Sequence, residues 1–404
     1  MRQIISVVLL SAILGGTGLM ARAPKKVAHK KPVSAQKAKD SPEYYEGVTT
    51  YPGATKVPVL AKQAILIDFN SGKVLLEKNA DERMVPSSMT KMMTTYVMEE
   101  EILKGKISNE TEFLVSKKAW STQGSKMFIH VGDKVKVADL HKGIAIQSGN
   151  DASIAVAEGI MGTEEGFAIE MTRVAQELGM NNTNFKNASG LPEECHYSTA
   201  RDLSKLGQAI IKNHSKFYSV NKEKEFTYNG IKQGNRNPLL YDDIGCDGIK
   251  TGHTDAGGYG VTVSCLDGDQ RYILVINGLP SVQARADEAR SLIGWAKGNF
   301  IGKTVIKKGE VVEKAAQVSL GVKETVPLIA AQDAYMLMLR TEQNQLKRTH
   351  TINGSLVAPI QQGQRAGVFI ATVGDARVQV ELLAAESVEK LGLIKRALKY
   401  IGVI

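Results

Sequence analysis

Ser88 and Lys91 stand three residues apart in the stretch Pro86-Ser87-Ser88-Met89-Thr90-Lys91. If a helix starts at Ser88, positions i and i+3 share a face and the hydroxyl meets the amine. A serine is a weak nucleophile until a neighbouring base takes its proton. Lysine serves as that base only when burial or a nearby cation lowers its pKa enough to leave the amine neutral. The chemistry on offer is acyl transfer through an acyl-serine. Taken alone the pattern is weak, because Ser34–Lys37, Ser219–Lys222 and Ser387–Lys390 repeat it in this lysine-rich chain. What separates Ser88 is the sequel: Ser148-Gly149-Asn150, then Lys250-Thr251-Gly252. Serine–lysine acyl enzymes carry S-x-x-K, an S-D-N-like element and K-T-G in that order.

These residues need elements to bring them together. Ala64 to Phe69 and Lys73 to Glu77 read as strands around the turn Asn70-Ser71-Gly72. Ser88 to Leu103 reads as a helix, and Thr163 caps another whose apolar face carries Phe167, Met171, Val174 and Leu178 before Gly179. Gly258 to Leu266 and Tyr272 to Leu279 read as paired strands across Asp267-Gly268-Asp269. Strands first, helices in the middle and strands last describe an α+β domain over 51–300. From 301 to 384 the pattern becomes β: Tyr335, Leu337 and Leu339 share a face, and a hairpin turns at Gly374-Asp375. This reads as a small β-sandwich without a catalytic cluster.

The ends have their own character. Arg2, an apolar run from Ile4 to Leu14 and the small-residue exit Ala21-Arg22-Ala23 describe a secretory signal peptide over 1–23. Gly15, Gly16 and Gly18 interrupt that run too early for a membrane span. Residues 24–50 open with six lysines against Asp40 and read as a basic flexible linker. Residues 24–41 alone carry +5 of the net charge of +9, so the basicity gives little support for nucleic-acid binding. Residues 385–404 read as an amphipathic membrane-anchoring helix: Leu391, Leu393, Ile394, Leu398 and Ile401 share a face, with Lys395, Arg396 and Lys399 opposite. Cys195, Cys246 and Cys265 make an odd count with no C-x-x-C or Cys/His cluster, so neither a metal nor a cofactor is expected. Which cysteines pair stays open at this point.

The stretches Ser88-Met89-Thr90-Lys91-Met92-Met93, Gln147-Ser148-Gly149-Asn150-Asp151-Ala152 and Asp247-Gly248-Ile249-Lys250-Thr251-Gly252-His253-Thr254 carry a resemblance. They closely resemble the low-molecular-mass penicillin-binding proteins that act as D-alanyl-D-alanine carboxypeptidases of the DacA type. Ser189-Gly190-Leu191, His196 to Asp202 and Asn235-Arg236-Asn237 add to the likeness. The resemblance implies a penicillin-binding/β-lactamase-like transpeptidase domain followed by a small all-β domain. It implies a periplasmic enzyme attached to the outer face of the cytoplasmic membrane, trimming peptidoglycan pentapeptides and acylated by β-lactam antibiotics. It makes Ser88 the nucleophile and Lys91 its base, with Ser148 relaying a proton and Asn150 holding Lys91 and the substrate amide. Lys250 would supply a charge that depresses the Lys91 pKa and orders Ser148. Backbone N–H groups of Ser88 and His253, beside Gly252, would form the oxyanion hole. Arg285 would bind the terminal carboxylate, helped by Thr251 and Arg236, while Arg290 reads as a surface residue.

Two other readings compete. A serine β-lactamase of class A needs a glutamate on an E-x-x-L-N segment to activate water; none lies between Gly162 and Leu203, and Gly149 stands where those enzymes carry aspartate. A non-catalytic envelope scaffold is expected to have lost one of the three motifs, and all are intact.

Overall fold

The computed structural model describes residues 41–395. The leader at 1–23, most of the linker and residues 396–404 lie outside the described residues.

Val48–Thr50 (β1), Gln63–Asp68 (β2) and Val74–Lys78 (β3) come first. Glu112–Leu114 (β4) pairs with Lys134–Lys136 (β5), and Glu225–Tyr228 (β6) with Ile231–Gly234 (β7). Cys246–Thr254 (β8), Gly258–Asp267 (β9) and Gln270–Leu279 (β10) complete a six-stranded sheet in the order β1-β3-β2-β10-β9-β8. Every pairing in it is antiparallel. Side chains alternate across a strand, and this sheet uses both faces. Ile65, Ile67, Ile273 and Val275 pack with the helical portion, whereas Ala64, Leu66, Leu274 and Ile276 pack with Leu292 and Ile293 of the helix Val282–Asn299.

The helical portion is inserted between β3 and β8. Its central helix, Lys91–Leu103, is buried on nearly every side of its first two turns, where Met92, Met93, Val97 and Met98 pack around the helix. Thr163 caps Glu164–Glu177 by accepting from Gly166 N–H, as its sequence predicts. A buried charge cluster fastens the central helix to two others. Glu99 meets His141 of Val137–Ala145 at 3.0 Å and His214, just past Ala200–Asn213, at 2.7 Å. His214 also meets Glu100 at 2.8 Å through its other ring nitrogen, so both nitrogens donate and the ring is an imidazolium. Burial alone would lower the His214 pKa; hydrogen bonds to Glu99 and Glu100 outweigh it and raise the value.

Glu99→Ala is therefore expected to cost about 3–5 kcal/mol in urea unfolding, because it strands a buried charge. A raised histidine pKa contributes stability that is complete below its unfolded value near 6.5 and lost as pH rises through the folded value. The wild type should show that loss as pH rises beyond 6.5 through the folded value, and His214→Phe should not.

Phe300–Ile306 (β11), Val311–Ser319 (β12), Thr325–Ala330 (β13), Ala334–Leu339 (β14), Lys347–Ile352 (β15), Leu356–Val357 (β16), Arg365–Val373 (β17) and Ala376–Ala384 (β18) form the C-terminal β module. β11 pairs with β14, and the rest run β15-β17-β18-β13-β12-β16. β14 joins two cores. Tyr335, Leu337 and Leu339 face the core behind the first sheet, while Met336 and Met338 face the module's own.

Two boundaries differ from the sequence reading. The linker expected over 24–50 ends earlier, since Val48–Thr50 pairs with β3 as an edge strand and Pro42–Tyr44 forms a short 3-10 turn. The helix expected from Ser387 begins only at Leu393. Val388 is buried in the module and bridges to Ile360, and Leu391 N–H donates to Leu320 C=O, so this backbone is already committed. Cys246 and Cys265 sit opposite each other on β8 and β9 and form a disulfide; Cys195 is free and exposed.

Candidate active site

Ser87–Thr90 forms one 3-10 turn and the α-helix starts at Lys91. In a 3-10 turn residues i and i+3 eclipse, and Lys91 Nζ lies 3.1 Å from Ser88 Oγ. Lys91 is fully buried. Its amine also donates to Asn150 Oδ1 at 2.7 Å and to the Ser189 carbonyl at 2.6 Å. Those two oxygens only accept. A neutral amine thus spends both protons on them and turns its lone pair to the Ser88 hydroxyl.

Burial pulls the Lys91 pKa down to about 7; the Arg236 guanidinium adds to this, while Asp151 and Glu164 oppose it. Arg236 is thus a cation acting on Lys91, beside the Lys250 that the resemblance implied. The two lysines repel each other, and burial first, then Lys91, Arg236 and Arg285, hold Lys250 well below the usual lysine value. Lys250 is buried on β8 and donates to Ser148 Oγ at 2.9 Å, as expected of an ordering group. Ser148 is held at φ 60°, a left-handed conformation uncommon for serine, between two helices of the inserted portion.

Three supports were not read from the sequence as such. The segment 123–129 folds over Asn150: Asn150 Nδ2 donates to Gln123 C=O at 2.7 Å, and the Asp151 carboxylate accepts from Met127 and Phe128 N–H at 2.9 Å. Arg236 donates to Ser125 Oγ on the same segment. The Ser189 carbonyl is set by Asn187 Oδ1, which accepts from Ser189 and Gly190 N–H. Gly190, at φ +78°, lies so close to the nucleophile turn that a Cβ would fall 1.8 Å from the Ser87 carbonyl oxygen. Buried His196 accepts from Lys186 N–H through Nδ1, so its Nε2–H donates to Thr90 Oγ1 at 2.9 Å. Burial and then Lys91 push its pKa down to about 4, keeping it neutral. The only sequence signals were the likeness in 189–191 and 196–202, and an aspartate in the first turn after Asn150.

β8 runs along the nucleophile turn. A Cβ on Gly252 would lie 2.9 Å from Pro86 C=O, and Ser87 Oγ and Thr254 Oγ1 are 2.9 Å apart. Thr251 is buried beside Lys250. The His253 side chain is exposed and stacks on Tyr259 with ring centroids 3.8 Å apart, so it packs and leaves the backbone as its contribution to the cleft. Arg285 reaches in from Val282–Asn299 and is only 5% exposed. Its Nη2 makes a long 3.4 Å bond to Arg236 C=O, its Nε has no partner, and Tyr259 lies beneath the guanidinium at 6.0 Å. Burial pushes its pKa down to about 10, Tyr259 resisting and Arg236 assisting. Arg290, by contrast, is engaged by Asp242 and Asp287. A buried guanidinium without a carboxylate is a ready anion site.

The model of the D-alanyl-D-alanine carboxypeptidase family, peptidase S11, matches residues 50–280, and that of the penicillin-binding protein 5 C-terminal domain matches 300–390. This chain belongs to the S11 family. Its relatives match it along most of its length. It is 39% identical to D-alanyl-D-alanine carboxypeptidase DacC of Escherichia coli over 84% of this chain and 87% of that one. It is 39% identical to DacA of the same organism over 80% and 81%. Penicillin binding protein 5 from Haemophilus influenzae superposes with a TM-score of 0.71 at 35% identity, over 84% of this chain and all of that one. The fold of this S11 member is the penicillin-binding/transpeptidase fold with an all-β C-terminal domain.

Proposed function

We propose that this chain is a serine-type carboxypeptidase that releases the terminal D-alanine of peptidoglycan stem pentapeptides through an acyl-Ser88 intermediate. The observation that carries the reading is the fully buried Lys91 amine 3.1 Å from Ser88 Oγ, its two protons directed elsewhere. Lys91 takes the Ser88 proton as Oγ attacks the carbonyl carbon of the penultimate D-alanine. The resulting oxyanion lies toward the N–H groups of Ser88 and His253; one such donor is worth about 3–4 kcal/mol. Ser148, ordered by Lys250, relays the proton from Lys91 to the departing amine as the C–N bond breaks, giving its own and taking the lysine's, so that Lys91 is neutral again. Water then attacks the acyl-serine, Lys91 accepts its proton, and the acyl C–O bond breaks as Lys91 returns that proton to Ser88 Oγ, which releases the shortened peptide and restores both residues.

Arg285 supports the carboxy-terminal specificity. Loss of a charge-assisted pair costs roughly 1.5–3 kcal/mol, so Arg285→Ala is expected to lower kcat/KM for D-alanine release about 10- to 150-fold. Amidating the substrate's C-terminus should weaken wild-type turnover comparably and the variant's little. Release of D-alanine from a peptide ending in D-Ala-D-Ala tests the whole reading; none from the intact chain would overturn it.

β-Lactams enter by the same acylation. Glu164, the acidic residue nearest in role, is engaged by Lys118 and Ala188 N–H, which argues for a long-lived penicilloyl adduct over rapid hydrolysis. Export through 1–23 and attachment through 385–404 are part of the proposal. Leu393 and Ile394 are each 80% exposed, and no described helix is long and apolar enough to cross a membrane. A chain ending at Gly392 should leave the membrane fraction; its retention there would remove the anchor.

A further inference from the structure

A cavity of about 490 Å³ lies where the β9–β10 turn meets the first strand of the β module. Gln270, only 2% exposed, lines it. Gly302 N–H donates to Gln270 Oε1 at 2.8 Å, which fixes the amide's orientation, and leaves Nε2 buried without a partner. On the rim Arg340 is closed by Asp267 at 2.8 Å. Lys303 and Lys307 line the same cavity, are exposed, and have no ion pair among the described residues. Against these two ammonium groups and one amide donor stands the single carboxylate of Asp269.

A buried donor without an acceptor costs about 1–3 kcal/mol, so a ligand whose carboxylates engage the lysines and whose carbonyl reaches Nε2 as the cavity wall yields would relieve it. We propose that this junction cavity is a second binding site for the carboxylate-bearing peptide of the wall polymer, separate from the serine cleft. Lys250 is paired with Thr262 on β9, five residues from Asp267. At about 3.4 Å per residue that is roughly 17 Å along the strand, enough for a different stem of the same polymer to occupy each site. The ligand's source rests on the carboxypeptidase reading; the cavity's preference for carboxylate and carbonyl groups does not. Held at both points, a polymer would be bound more tightly than a lone peptide by effective concentration.

The test is calorimetry of full-length Ser88→Ala with a disaccharide tetrapeptide, the uncleavable product. Two equivalents are expected. Adding Lys303→Glu and Lys307→Glu should remove one, and adding Gln270→Leu should weaken that same one several-fold. Adding Arg285→Ala to Ser88→Ala should instead remove the cleft equivalent. Two equivalents surviving the charge reversal would overturn the junction site. Loss of one on charge reversal but none with Arg285→Ala would keep the junction site and sink the reading of the cleft. Displacement of the junction equivalent by inorganic phosphate at equal concentration would assign the cavity to phosphate and overturn the carboxylate choice. In the Ser88 background, the lysine and Gln270 variants should release D-alanine from a short peptide at wild-type rate, showing that they fold. Their KM for polymeric wall should rise several-fold with kcat unchanged.

Discussion

Ser88→Ala is expected to abolish labelling by a fluorescent penicillin and to lower D-alanine release on the order of 10⁴-fold or more. The size follows from removing the group that forms the covalent bond: nucleophile and base act as a unit, so losing either forfeits nearly the whole effect. The fold should not suffer. The Ser88 hydroxyl is half-buried and contacts Lys91, which keeps Asn150 Oδ1 and Ser189 C=O as acceptors. Affinity for the uncleaved peptide should therefore stay near the wild-type value, because Arg285 and the edge of β8 are untouched. Intact-protein mass spectrometry with penicillin separates the outcomes. A penicilloyl adduct on Ser88→Ala protein would remove Ser88 from the mechanism.

The second large effect is Lys91→Met, expected to slow acylation by at least about 10³-fold, within the range of general-base contributions. With the amine's pKa near 7, acylation by the wild type should fall about tenfold per unit below neutrality and level off above it. The midpoint belongs to the Lys91–Lys250 pair, since the two buried amines repel each other. Arg236→Gln should move it upward, because a cation that helps keep Lys91 neutral has gone. An unmoved midpoint would show that burial acts alone. Stability follows the same shift with a definite sign. Lys91 is depressed on folding, so between about pH 7 and 10.5 the unfolded chain holds the extra proton and stability rises with pH. Lys91→Met removes that cost but leaves two buried carbonyl oxygens unpartnered. The effects oppose each other, and the melting temperature should move by only a few degrees while acylation collapses.

Much of the site was legible in the chain because the chemistry demands particular side chains in a particular order. Ser88 and Lys91 needed only helical spacing to be paired. Ser148, Asn150 and Lys250 came from the order of the motifs and Arg285 through the resemblance; the structure joins Asn150 to Lys91 and Ser148 to Lys250, and Lys250 feels the charges of Lys91, Arg236 and Arg285. The supports were not legible for a plain reason: they act through backbone atoms. The Ser189 carbonyl on Lys91, the Gln123 carbonyl over Asn150 and the closeness of Gly190 to Ser87 leave no mark on residue type beyond a small side chain.

Boundaries were the other weak point. The run from Ser387 has helical periodicity, yet Val388 enters the module's core and its backbone pairs with Ile360. Tertiary burial there outweighed a local pattern of a few residues.

Residue types and their order thus determined the acyl-serine chemistry, the α+β domain and the β module behind it, because nucleophile, base and alternating strands are properties of the chain itself. That Arg236 adds to burial at Lys91, which cysteines join, and that Arg285 lies buried without a carboxylate were decided only when distant segments met. Charge interaction and desolvation depend on separation in space and on exclusion of water, and neither is set by position along the chain.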